Sequence, residues 1–142
     1  MFVLLVAVAL TASGCGSRTP VELTGTTWQL MSMQSTAPGE QPSITIADPS
    51  KYTVTFGDDG KAGFRVDCNR GNSTWKIEAA DPDSGGMTFG PIALTRMACP
   101  KPSHDAQVAA ALGRVRTYLI SGGKLNMSLE ADSGIMHWQQ LR

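Results

Sequence analysis

The 142 residues balance 12 Lys+Arg against 12 Asp+Glu, with 42% hydrophobic and 17% charged residues. That length fits one ordinary domain and would make two marginal. Charge neutrality argues against a nucleic-acid binder, which carries a basic excess or stripe, and the apolar share argues against a disordered chain.

In chain order, residues 1–10 (MFVLLVAVAL) are apolar without interruption and run into Thr11-Ala12-Ser13-Gly14-Cys15. A spanning helix needs roughly 20 apolar residues, so this stretch reads instead as the h-region of a secretory signal. Ala12-Ser13-Gly14-Cys15 resembles the bacterial lipobox, in which the Cys is acylated and becomes the mature N-terminus, although Leu is commonest where Ala12 sits. No Lys or Arg precedes Arg18, so the positive n-region is missing and the natural start is expected upstream. The alternative is a buried N-terminal element with an ordinary Cys15, which ending in Ser-Gly-Cys-Gly-Ser argues against. Stable anchoring takes at least two lipid chains, and a triacylated Cys15 would meet that condition. Gly16 stands where Asp would signal inner-membrane retention, so the expected location is the outer membrane, facing the periplasm. Residues 16–22 (GSRTPVE) read as a tether reaching at most about 25 Å. The expected organisation is a signal peptide over 1–14, lipidated Cys and tether over 15–22, and one domain over 23–142.

Within that domain most segments alternate with period two, the pattern of half-buried strands. Trp28 and Leu30 mark an opening strand over 26–33. Tyr52, Val54 and Phe56, the turn Gly57-Asp58-Asp59-Gly60, then Ala62, Phe64 and Val66 make a strong hairpin signal. Trp75 and Ile77 mark another strand, and Gly85-Gly86 introduces Met87-Thr88-Phe89. Val108, Ala111, Leu112, Val115 and Leu119 fall instead at helical spacing, with Ser103 as expected N-cap, Asp105 in the first turn and Gly113 inside. Arg114 and Arg116 lie toward the C-terminal half of that predicted helix. After Gly122-Gly123, Leu125, Met127 and Leu129 and a last strand over 135–141 form a second hairpin. The sum is an α+β single domain: a curled, mostly antiparallel, barrel-like sheet of about seven strands with one α-helix packed against it.

If Cys15 is acylated, Cys68 and Cys99 remain as an even pair in an oxidising compartment, where thiols tend to bridge. Closing that loop would stabilise by roughly 3–4 kcal/mol in the chain-entropy model; two buried free thiols are the alternative. No metal site is expected, because two isolated Cys and the distant His104 and His137 do not form a zinc set.

Four blocks carry a resemblance across nearly the whole domain. They are Leu23-Thr24-Gly25-Thr26-Thr27-Trp28-Gln29-Leu30; Cys68-Asn69-Arg70 with Trp75; Thr95-Arg96-Met97-Ala98-Cys99-Pro100; and the helix with Leu125-Asn126-Met127-Ser128-Leu129. They resemble the META domain, or HslJ-like, family in its bacterial lipoprotein form. Asp67 stands where a Gly usually precedes the Cys-Asn pair, and Ser73 and Trp75 replace the common Gly and Tyr. The resemblance implies a small barrel-like fold with one helix, linked to heat or envelope stress and, in some members, to antibiotic tolerance or secretion. It transfers no catalytic residues.

Nor do the residues supply any. His104 reads as a first-turn helix residue and His137 as a strand residue beside Trp138, and no nucleophile elbow or phosphate-cradling loop occurs. Asp58-Asp59 and Asp81-Pro82-Asp83 sit among turn formers, where Asp bonds the backbone. The six Met after Cys15 read as core filler, with an adaptable binding surface as the alternative. If Cys68 and Cys99 bridge, Asn69, Arg70, Thr95 and Arg96 converge near the crosslink. They then form either a small patch recognising an anionic partner or a structural cluster that caps a turn, satisfies carbonyls or pairs with Asp67. The expected protein is a non-enzymatic envelope lipoprotein without cofactor, a monomer held to the membrane through acylated Cys15. It would support stress tolerance by binding an envelope protein or ligand and no nucleic acid. Rival readings are an inhibitor of a secreted hydrolase and, behind it, a small-ligand carrier or hydrolase with a cavity inside the sheet.

Overall fold

A computed structural model describes residues 23–142; the leader, Cys15 and tether lie outside the described residues. Alternation builds most of the molecule. Tyr52, Val54 and Phe56 of β3 (Tyr52–Phe56) and Ala62, Phe64 and Val66 of β4 (Lys61–Val66) all face the core, joined by a turn in which Gly60 takes φ 74° and Asp59 Oδ1 accepts the Lys61 N–H. The opening strand β1 (Thr27–Ser35) and the closing strand β10 (Gly134–Leu141) pair from Thr27↔Leu141 to Ser35↔Gly134. This seam shuts the sheet into a ring and leaves no open edge there.

The remaining ring strands are β5 (Asn69–Asp81), β6 (Ser84–Phe89), β8 (Val115–Ser121) and β9 (Lys124–Leu129). The closed order is β1-β3-β4-β5-β6-β8-β9-β10, antiparallel at every pairing. Two short strands lie off the ring: β2 (Ser43–Thr45) on β1, and β7 (Ala93–Leu94) on β5 beyond the reach of β6. The described domain is thus an eight-stranded barrel with two accessory strands, where the sequence indicates about seven. The interior is filled by Trp28, Trp138, Phe56, Leu30 and Leu125 and by the methionines Met33, Met87, Met127 and Met136.

The one α-helix among the described residues, α1 (Asp105–Leu112), buries Val108, Ala111 and Leu112 in the same core cluster as the inward strand residues, so it covers a mouth of the barrel. It is shorter than its apolar spacing indicates. Gly113 is its C-cap and not an interior residue. Val115 and Leu119 belong to β8, where Val115 is buried and Leu119 is 49% exposed. Arg114 and Arg116 consequently leave the helix: Arg114 pairs with Glu40 at 3.1 Å and Arg116 with Glu130 at 2.7 Å. At the other end the N-cap is His104, whose backbone N–H donates to the Tyr52 hydroxyl at 3.0 Å. Ser103, the expected cap, sits one residue earlier and accepts the Asp105 N–H at 3.2 Å.

Candidate functional site

The hairpin β4–β5 turns through two residues, Asp67 and Cys68, between the paired Val66 and Asn69. Asp67 occupies the left-handed region at φ 56°. Type II′ hairpin turns favour Gly at their first central residue for this reason, and Asp is among the few other residues that tolerate it. Cys68 is bridged to Cys99, 31 residues on, with Cα atoms 5.5 Å apart. The bridge draws a strap, residues 95–99, across the start of β5.

Asn69 locks the strap from inside. It is 3% exposed, and both ends of its amide are used. Its Nδ2 donates to Met97 O at 3.1 Å and to Cys99 Sγ at 3.4 Å. Its Oδ1 accepts from the Thr95 hydroxyl at 2.9 Å and the Met97 N–H at 2.7 Å. Thr95 extends the β7 pairing by one step: its N–H donates to Arg70 O, and its Oγ1 accepts the Arg70 N–H, each at 3.0 Å. Buried amides are costly unless satisfied in this way. Asn69 and Thr95 are therefore in direct contact and carry the structural half of the cluster.

The two arginines are placed differently. Arg70 is exposed on the outer face of β5, directly across from Arg65 of β4. Arg96 lines two adjoining grooves of 290 and 310 Å³ between the strap and α1, which share Leu94, Ala106 and Ala109. Neither guanidinium forms an ion pair or hydrogen bond among the described residues. The arginine that reaches Asp67 is Arg65, whose Nε donates to its carbonyl at 3.1 Å. Met97, next to Arg96 in the strap, is 58% exposed, the most exposed large apolar residue described. The bridge and Asn69 thus hold a rigid strap that offers an unpaired cation, an exposed thioether and an apolar groove.

The other titratable residues weighed in the sequence take ordinary places. His137 Nδ1 lies 2.7 Å from Asn126 Oδ1 across the β9–β10 pair, Asp81 accepts from the Ser84 hydroxyl, and Asp59 serves its turn. Among the described residues no group of three or more His, Cys, Asp or Glu could hold a metal ion, and no helix is long and apolar enough to cross a membrane. Sequence reasoning passed over the groove. Its one signal is the small side chains of Ala106, Ala109 and Ala110, which line it from the helix.

The META domain family matches residues 21–140. The chain belongs to the META domain family. A comparison with curated proteins found no match. Two solved structures share the fold of this META domain. A protein from Burkholderia xenovorans, solved by NMR, matches with TM-score 0.64 at 18% identity, over 96% of this chain and 99% of its own. A DUF4847 family protein from Bacteroides vulgatus, a crystal structure, matches with TM-score 0.57 at 14% identity, over 82% of this chain and 93% of its own.

Proposed function

We propose that this META domain is the non-catalytic binding module of a bacterial envelope lipoprotein, anchored in the outer membrane through acylated Cys15, and that it supports stress tolerance by docking an envelope partner on the strap. The observation that carries the reading is the pairing of rigidity with exposure. Residues 95–99 are fixed by Cys68–Cys99 and by four hydrogen bonds to Asn69, yet Arg96 is unpaired and Met97 projects into solvent. A pre-ordered surface loses little entropy on binding, and an unpaired guanidinium beside an apolar patch suits an acidic partner surface. A barrel filled by Trp28, Trp138 and Phe56 also favours a surface over an interior for the work. The leader and Cys15 support the location, and the tether would keep the strap within reach of the bilayer surface.

The test is a full-length chain expressed in its own bacterium. Cys15→Ala should move it from the membrane to the soluble fraction, and Arg70→Glu with Arg96→Glu should abolish stress tolerance at unchanged abundance. Membrane retention without Cys15, or full tolerance in a folded double variant, would overturn the reading. Tight capture and inactivation of one secreted hydrolase would replace it with the inhibitor reading.

A further inference from the structure

The strap has a free main-chain edge. Thr95 and Met97 turn their main chain to β5: the Thr95 N–H donates to Arg70 O at 3.0 Å, and the Met97 N–H and carbonyl are held by the Asn69 amide. Leu94 lies opposite Gly71, one step before the bonded Thr95. Successive residues of an antiparallel ladder send their N–H and carbonyl to opposite sides, so those of Leu94 point away from β5. Arg96, between Thr95 and Met97, forms no main-chain hydrogen bond among the described residues. Leu94 and Arg96 therefore present donors and acceptors at alternate positions, the repeat that an added strand uses.

The same two residues are common to both grooves between the strap and α1. The helix faces them with Ala106, Ala109 and Ala110, whose side chains are too short to cover the edge. Leu94 and Ile92 are half-buried against the core cluster and make the floor apolar, while Arg96 adds its unpaired guanidinium. A second open edge, β5 beyond the end of β4, is built differently. There Lys76 and Glu78 pair at 3.5 Å along the strand, and the register shifts between Ala79 and Asp81. Charged side chains and a bulge are the devices that keep an edge from accepting another strand. The strap edge carries an apolar residue and a lone cation instead.

We infer that the edge formed by Leu94 and Arg96 takes an extended segment of a partner protein as an added strand, with an acidic residue opposite Arg96 and an apolar residue opposite Leu94. The inference rests on the reading of the strap as a docking surface and supplies the form of what docks there. Residues directly opposite in paired strands hold their side chains on one face. The acidic residue therefore meets the guanidinium, whose fork suits a carboxylate, and the apolar residue two places along enters the groove. Main-chain bonds supply affinity and the two side chains supply selection. The crosslink and Asn69 already order the strap, so the incoming segment alone is ordered on binding.

The experiment is an NMR titration of the full chain in detergent with the peptide acetyl-Thr-Glu-Thr-Leu-Thr-Glu-Thr-amide, which offers Glu and Leu two apart in either direction. The expected result is saturable binding with Kd at or below about 1 mM, shifting the Leu94 and Arg96 amides and leaving those of Ile77 and Ala79 on the other edge in place. N-methylation of the peptide at its Glu and Leu residues removes the bonds to the strap and should weaken binding at least tenfold, whereas N-methylation at its Thr residues should change it less than twofold. Replacing both Glu by Gln should weaken it at least fivefold, as should Arg96→Glu in a chain that melts at the parent temperature. The inference is overturned if the peptide does not saturate, if the two methylated peptides bind alike, or if Ile77 and Ala79 shift in place of the strap. A dimer of the chain alone that the peptide dissociates would put a second copy on this edge and overturn it as well. Methylated peptides that bind alike, with stress tolerance still lost in Arg70→Glu with Arg96→Glu, would leave the strap a docking surface without strand addition. Binding as expected with full tolerance in that double variant would instead overturn the stress role and leave strand addition standing.

Discussion

Met97 of the strap holds both ends of the Asn69 amide: it accepts from Nδ2 through its carbonyl and donates to Oδ1 through its N–H, at 3.1 and 2.7 Å. One amide thereby replaces two strand-ladder bonds where β7 has already ended. Removing it breaks four hydrogen bonds that hold the strap, each with a net worth of roughly 0.5–1.5 kcal/mol. Asn69→Ala should lower stability by at least about 2 kcal/mol in urea denaturation and sharply accelerate hydrogen exchange at the Met97 amide. Asn69→Asp should be no milder, because it exchanges the donor to Met97 O for a second acceptor facing it.

The crosslink acts on the same strap from the unfolded side. Opening the 31-residue loop with Cys68→Ser and Cys99→Ser restores chain freedom to the denatured state, worth roughly 3–4 kcal/mol. The denaturant midpoint of the double variant should fall accordingly, and reductant should shift the parent chain toward it while leaving the variant unchanged.

Two glycines of one hairpin should respond in opposite ways. A Cβ on Gly71 would lie 2.3 Å from Ala93 O and 3.0 Å from Leu94 Cα, so Gly71→Ala must push β7 off β5 and deform the groove beneath Arg96. A Cβ on Gly63 meets nothing within 4 Å. Gly63→Ala should be neutral or stabilise by about 0.4–1 kcal/mol through the unfolded state, whereas Gly71→Ala should destabilise. Thermal melts of the two variants check the contrast.

Alkaline pH has a defined sign. Burial, and secondarily the Asp83 carboxylate, raises the pKa of the Tyr118 hydroxyl above the usual tyrosine value of about 10. The folded state therefore holds this proton more tightly than the unfolded state, so the contribution is complete below pH 10 and is lost as pH climbs through the folded value. Tyrosinate absorbance should show one hydroxyl ionising late, and Tyr118→Phe should remove that phase and flatten the fall of stability above pH 10.

The barrel was legible wherever alternation was undisturbed, as in the β3–β4 and β9–β10 hairpins with their Gly- and Asp-bearing turns. It was misread at β8 for a physical reason. The register shifts between Val115 and Thr117, so the inward residues Val115 and Tyr118 stand three apart, the spacing of a helix face, and a strand passes for the continuation of α1. The strands β2 and β7 are three and two residues long, too short to show a period. At the site, the meeting of Asn69 with Thr95 follows once the two cysteines are joined. The separation of Arg70 from Arg96 does not, because it depends on which face each residue takes where β7 gives way to the strap.

Docking on the strap is tested most directly by a photo-crosslinking residue placed at position 97 of the full chain in intact cells, with position 119, another exposed apolar residue, as the control. Position 97 should give one discrete adduct with an envelope component that disappears with Arg96→Glu, and position 119 should not give it. The same adducts from both positions, or an adduct at 97 indifferent to Arg96→Glu, would contradict a binding role for the strap.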